Sequence, residues 1–147
     1  MIVQELTRNE CFHLVAGNDL GHLASARNNF PYVVPIHYVL ERETLYMFSL
    51  DGEKIATLRS NPNACLQVEE NVDSRNWKSV IARGRYKELT GSTGERDYAW
   101  DLLQKRAGWW EPGALRPAHL HAGSNAVPIY FSIVIDAISG RQAIDDA

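Results

Sequence analysis

The chain has 147 residues, 45% of them hydrophobic and 22% charged, with a formal net charge of −3. That suffices for one domain, spanning residues 1–147 and burying about two-thirds of its extended surface, and is too short for two comfortable ones. The balance favours neither a disordered chain nor a non-specific nucleic-acid surface, so neither DNA nor RNA is expected as a partner. No apolar run reaches the roughly 18 residues of a bilayer span, and the first six residues lack a basic stretch followed by an apolar one. A cytoplasmic protein without a membrane partner is expected. Cys11 and Cys65 are too few for a disulfide framework and form no zinc pattern, so both read as buried free thiols.

In chain order, Thr7-Arg8-Asn9-Glu10 predicts a capped, acidic helix start that continues through Ala16 and breaks at Gly17-Asn18-Asp19. Residues 20–26 read as a strand that turns at Arg27-Asn28-Asn29. Residues 31–40 are rich in β-branched and aromatic side chains, and Glu41-Arg42-Glu43 supplies a polar turn before a second strand at 44–49. That second strand ends in Ser49, followed by the turn pair Asp51-Gly52 and then Lys54. A hydroxyl, backbone N–H groups and an ammonium are thereby grouped in a way that suits one phosphate. Ile55 and Leu58 space a short helix over 54–59, stopped by residues 60–63, and residues 64–69 alternate as a strand. Residues 77–89 predict a long strand with Gly84 as a bulge or bend. A helix is expected over 93–107 with Tyr98, Leu102, Leu103 and Arg106 in its pattern and Gly108 ending it. Residues 109–125 read as a loop, 127–136 as the last strand and 138–141 as a closing turn. Six short strands with flanking helices describe a mainly β protein, a small antiparallel barrel.

The order of Gly21-His22-Leu23-Ala24, Pro31 to Tyr38, Phe48-Ser49 with Gly52 and Lys54, Asn61-Pro62, and Trp77 to Val80 with Gly84 resembles the FMN-binding split-barrel superfamily. Within it, the similarity points to the pyridoxamine 5′-phosphate oxidase-like flavin proteins that include the nitroimidazole-resistance proteins. The resemblance covers roughly residues 5–140. It implies a six-stranded antiparallel split barrel with FMN as cofactor. The strand holding Val34, Pro35, Ile36, His37 and Tyr38 would lie along the flavin ring. Phe48, Ser49 and Lys54 would hold the phosphate, and Trp77 and Ser79 would approach the cofactor at a homodimer interface. The family's pyridoxamine phosphate oxidases carry an arginine where this chain has Glu53, which weakens the case for that oxidase activity.

Each of these residues also has an ordinary reading. Lys54 could be a solvated helix-start lysine, His37 a strand residue with one satisfied ring nitrogen, and Trp77 plain packing. Of the pair Trp109-Trp110, one reads as a barrel cap, leaving Trp109 as a candidate beside the flavin or substrate. His22 reads as structural. His119 and His121 could face one side, but no third ligand falls at a useful spacing, so no metal is expected. No Gly-x-Ser-x-Gly elbow, Rossmann fingerprint or Walker motif occurs, which leaves the hard chemistry to a cofactor. Two functions stay open at this point. One is an FMN-dependent oxidoreductase passing electrons from a reduced nicotinamide or similar donor to a small aromatic or nitroaromatic acceptor. Tyr38, Trp77 and the Trp109-Trp110 loop would then wall the substrate space, with His37 as the catalytic proton carrier. The other is a non-catalytic FMN-binding protein for storage, delivery or sensing. A barrel that holds haem or a deazaflavin is a third reading. Exposed aromatic residues and open strand edges predict a C2 homodimer.

Overall fold

The computed structural model describes residues 1–105 and 128–146. Its strands are β1 (Ile2–Glu5), β2 (Leu20–Arg27), β3 (Phe30–His37), β4 (Val39–Glu41), β5 (Thr44–Leu50), β6 (Asn63–Asp73), β7 (Asn76–Glu88) and β8 (Pro128–Ile144). Three helices, α1 (Arg8–Ala16), α2 (Glu53–Ser60) and α3 (Glu95–Gln104), lie between them. All pairings are antiparallel, and the sheet runs β3-β2-β6-β7-β8-β5-β4 with β1 added beside β8. The two ends of this path, β3 and β4, are consecutive in the chain with only Tyr38 between them, so the sheet curls back on itself without a hydrogen-bonded seam. This is the mainly β, split antiparallel barrel that the sequence predicts.

The local chemistry explains most of the elements. Thr7 caps α1 reciprocally with Glu10: Thr7 N–H donates to Glu10 Oε1 at 2.9 Å, and Glu10 N–H donates to Thr7 Oγ1 at 3.2 Å. Asn28 and Asn29 both take positive φ, 53° and 65°, and form the two-residue turn joining β2 to β3. Asparagine tolerates that conformation, whose twist matches the flanking strands. Gly84 marks the expected bulge: the β7–β8 register shifts between Arg83 and Gly84. A Cβ at Gly84 would sit 2.1 Å from the Val134 carbonyl oxygen, so only glycine permits that backbone approach.

Several expectations need correction. All six expected strands are present, and β1 joins them; its four exposed residues carry no apolar alternation to announce a strand. The run 31–40 is not one strand, because Tyr38 turns out of the ladder into the core. Its amide donates to Asp19 O at 3.0 Å and its hydroxyl to Val15 O at 2.6 Å, stapling the end of α1. The hairpin partner of β5 is therefore only the three-residue β4. Residues 138–141 are no turn: β8 continues to Ile144, held by β7 on one side and β1 on the other. In α3 the buried positions are Ala99 and Leu103, one helical repeat apart, while Tyr98 faces outward. Of the two cysteines, Cys11 is buried and Cys65 only half-buried.

The main core fills the barrel with Leu23, Tyr38, Leu45, Met47, Ile55, Leu58, Leu66, Val80, Phe131 and Ile133. A smaller cluster of Val39, Leu89, Ala99, Leu103 and Tyr130 seats α3 on the opposite face of β5 and β8. Ile55 and Leu58 are both fully buried, so α2 is anchored by one apolar face and its N-terminus is set rigidly at the end of β5.

Candidate functional site

Strand β5 alternates Leu45 and Met47 into the main core, which places Ser49 on that same side at the rim. Four residues later α2 begins. Gly52 precedes it with extended backbone and offers no side-chain cap, and the first intrahelical bond is Ala56 N–H to Gly52 O at 3.0 Å. The amides of Glu53, Lys54 and Ile55 thus precede that bond, and they stand at the positive end of the helix dipole. Lys54 lies half-buried in the first turn, and its Nζ donates to Ser49 Oγ at 3.3 Å, while the Ser49 hydroxyl donates to Leu50 O at 2.9 Å. Among the described residues no carboxylate comes within ion-pairing distance of Lys54. Burial without a counter-charge pushes the Lys54 pKa below its ordinary value. A cation desolvated in this way favours an anionic partner, and a phosphate placed against Ser49, Lys54 and the start of α2 would meet donors from all three.

Phe48 points the other way, its ring 5.6 Å from that of Tyr130 in the smaller cluster, so its side chain is packing. Along β3, Ile36 is buried in the main core, Val34 packs partly against it and Pro35 is exposed. His37 is half-buried with Nδ1 3.1 Å from Asp19 O; a carbonyl only accepts, so Nδ1 carries the proton. Tyr38 is fully buried and committed to Val15, which removes its side chain from the candidate substrate wall.

Trp77 and Ser79 share one face of β7 and line an open groove of about 590 Å³ with Ile81, Ile138, Gly140 and Arg141. The Ser79 hydroxyl accepts from Gln67 Nε2 at 3.0 Å, and Gln67 Oε1 lies 3.2 Å from His22 Nδ1. His22 is thus linked across the strands to Gln67. The two halves of the predicted site pair with different stretches of β8. Ser49 pairs with Ile129 of β8, and Ser79 with Arg141 of the same strand. Twelve residues along a strand span at most about 40 Å, so the lysine end and the tryptophan end occupy opposite reaches of β8.

Sequence reasoning missed a charged network at the lysine end. From the last turn of α2, Arg59 donates Nε to Glu88 Oε1 at 2.8 Å and Nη2 to Glu88 Oε2 at 3.1 Å, and Tyr86 Oη donates to Glu88 Oε1 at 2.7 Å. Arg59 Nη1 also reaches Asp51 Oδ1 at 3.8 Å. The basic last turn was readable, but its acidic partner sits 29 residues away and has no local signature. Trp109, Trp110, His119 and His121 lie outside the described residues. Among the described residues no three His, Cys, Asp or Glu side chains converge as a metal site, and no helix is long and apolar enough to cross a membrane.

Comparison with known proteins identifies the family. Residues 7–142 match the pyridoxamine 5′-phosphate oxidase family. The chain belongs to that family. It is 43% identical over 146 residues to an uncharacterised protein of Rhizobium meliloti (strain 1021), covering 97% of each chain. The crystal structure of a FAD-binding protein from Mesorhizobium loti superposes with a TM-score of 0.78 at 41% identity, over 97% of this chain and 99% of that one. A 5-nitroimidazole antibiotic resistance protein from Bacteroides thetaiotaomicron superposes with a TM-score of 0.74 over 97% of this chain and 89% of that one. Its 18% identity shows a shared fold alone.

Proposed function

We propose that this member of the pyridoxamine 5′-phosphate oxidase family binds a flavin, FMN by preference, and works as a homodimeric oxidoreductase. Electrons would pass from a reduced nicotinamide or similar donor to a small aromatic or nitroaromatic acceptor. The observation that carries the reading is Lys54: a half-buried ammonium with no carboxylate beside it among the described residues, bonded to Ser49 and standing in the first turn of a helix without a side-chain cap. Ser49, Lys54 and the start of α2 fit a phosphomonoester, and a bound flavin would supply the hydride and electron chemistry.

In this reading Lys54, Ser49 and the first amides of α2 bind and orient the phosphate. The exposed edge of β3, at Val34 to His37, lies along the ring, and His37, with its Nδ1 proton directed at Asp19, is the candidate to hold or deliver a proton. Trp77 and Ser79 belong to the other reach of β8, where Ser79 pairs twelve positions from the pairing of Ser49. In the homodimer of this proposal a second copy would supply them. The Mesorhizobium loti protein is named for FAD rather than FMN. That favours FAD as the second reading, since the dinucleotide shares the ring and the phosphate next to it.

The test is the visible absorbance spectrum of protein purified without added ligand, together with the identity of whatever the denatured protein releases. Flavin bands with released FMN support the cofactor assignment, and released FAD retains the site but changes the cofactor. A haem or deazaflavin spectrum, or a colourless protein that fails to bind added FMN and FAD, overturns it. Reduction of the bound flavin by NADH or NADPH, followed by reoxidation with an acceptor, separates an oxidoreductase from a storage or sensing protein.

A further inference from the structure

We infer that Arg59 is a positioning residue for the phosphate site, acting by holding the Asp51 carboxylate away from Lys54. The inference rests on the phosphate reading of Ser49 and Lys54 given above. The segment that forms the grip carries an acid that ought to spoil it: Asp51 lies two residues after Ser49 and three before Lys54. A carboxylate free to swing there would compete with an incoming phosphate for the ammonium and repel the dianion.

The structure pairs Asp51 elsewhere. Its Oδ1 lies 3.8 Å from Arg59 Nη1, while the Lys54 ammonium is bonded to Ser49. Lys54 and Arg59 are five residues apart on α2, about 140° around the helix, so the acid and the free cation are drawn to different faces. Arg59 is well prepared for this role. Both Glu88 oxygens hold its guanidinium as a fork, and Tyr86 braces Glu88 in turn. An exposed ion pair is ordinarily weak because two long side chains must be ordered at once. Here Glu88 has already ordered the arginine, and only the short Asp51 side chain remains to be fixed.

The experiment titrates FMN into apo-protein, following quenching of flavin fluorescence, for Arg59→Met, Asp51→Asn, the double variant and Lys54→Met. Arg59→Met is expected to weaken FMN binding about fivefold, the upper end of an exposed charge interaction. Asp51→Asn alone is expected to leave affinity unchanged, and adding it to Arg59→Met is expected to restore affinity. A merely structural arginine would not be rescued by removing an acid, so a loss that Asp51→Asn fails to restore overturns the inference. Unchanged binding in Arg59→Met alongside a loss in Lys54→Met overturns the inference and leaves the phosphate site standing. Unchanged binding in Lys54→Met overturns both. Should Arg59→Met fail to fold, Glu88→Gln provides the second route. Loosening the fork should weaken binding by a smaller factor, again reversed by Asp51→Asn, and the absence of any reversal counts against the inference.

Discussion

The two ends of β8 present opposite kinds of site. At the lysine end every element is local: Ser49, Gly52 and Lys54 fall within six residues, and a buried helix face holds them in place. At the tryptophan end nothing is local. Trp77 and Ser79 come from β7, Arg141 from the far end of β8 and Leu6 from the segment between β1 and α1, and together they line an open groove. On the proposed reading the first end is an anion grip built within a single chain, and the second is one wall of a site. The difference teaches that a short motif can announce a local group of donors, whereas a groove is assembled by topology; on our reading the first holds the phosphate and the second, from a second copy, meets the ring.

Both ends hang on the same joint, so the largest expected effect removes them together. Gly84→Val would drive a side chain into the Val134 carbonyl, where even a Cβ would lie 2.1 Å away. A loss of more than about 3 kcal/mol is expected, visible as a large drop in the denaturation midpoint; near-native stability would mean that the bulge tolerates what its geometry forbids. Separating the ends comes next. Lys54→Met should lower FMN affinity by on the order of 2–3 kcal/mol, measured by titration, while the dimer persists in sedimentation. Unchanged affinity would leave the grip without a role. A smaller effect probes the link between α1 and the β3–β4 corner. Tyr38→Phe strands the Val15 carbonyl and should cost about 1 kcal/mol of stability in denaturant titration, with no change in flavin affinity. Altered affinity would restore Tyr38 to the ligand surface.

The smallest effect is a pH dependence, and its sign distinguishes an empty grip from a filled one. Burial lowers the Lys54 pKa in the folded chain, so the unfolded chain binds that proton more tightly. Stability from this group rises as pH climbs through the lowered value toward the ordinary lysine value of 10.5. The apo wild-type protein should therefore gain on Lys54→Met as pH rises over that window, and a bound phosphate dianion should shrink or reverse the trend. Parallel stability curves would show that the ammonium is not desolvated. Glu88 behaves oppositely: the Arg59 hydrogen bonds hold its carboxyl below the usual range, so what it contributes is present above the ordinary value of 4.5 and fades as pH falls below it.

Much of the fold was legible because barrel strands advertise themselves by β-branched and aromatic content and by punctuation. Asn28-Asn29, the break at 60–63 and Gly84 each carried a physical reason that the structure repeats. The failures share a cause. The run 31–40 reads as one strand because nothing local says that Tyr38 prefers the Val15 and Asp19 carbonyls to its ladder. Residues 138–141 read as a turn because Ser139-Gly140 is turn-like. The tertiary context overrides it: a side chain at Gly140 would meet Val80, Cys11 and Leu6 at 2.8–3.0 Å, so the glycine is there for close packing. At the candidate site, Ser49 and Lys54 were visible as chemistry, and the structure brings them together. The Arg59–Glu88 fork was invisible, since a contact between α2 and β7 leaves no periodic trace in either segment.

The claim on which the account turns is that one ligand is held by Lys54 of one protomer and Trp77 of the other. Mixing Lys54→Met chains with Trp77→Ala chains after denaturation and refolding tests it directly, with FMN binding as the readout. If the site is shared, each homodimer binds weakly, and every heterodimer regains one intact site out of two at wild-type affinity. Heterodimers that bind no better than the parent variants would contradict the shared site, as would a Trp77→Ala homodimer of full affinity.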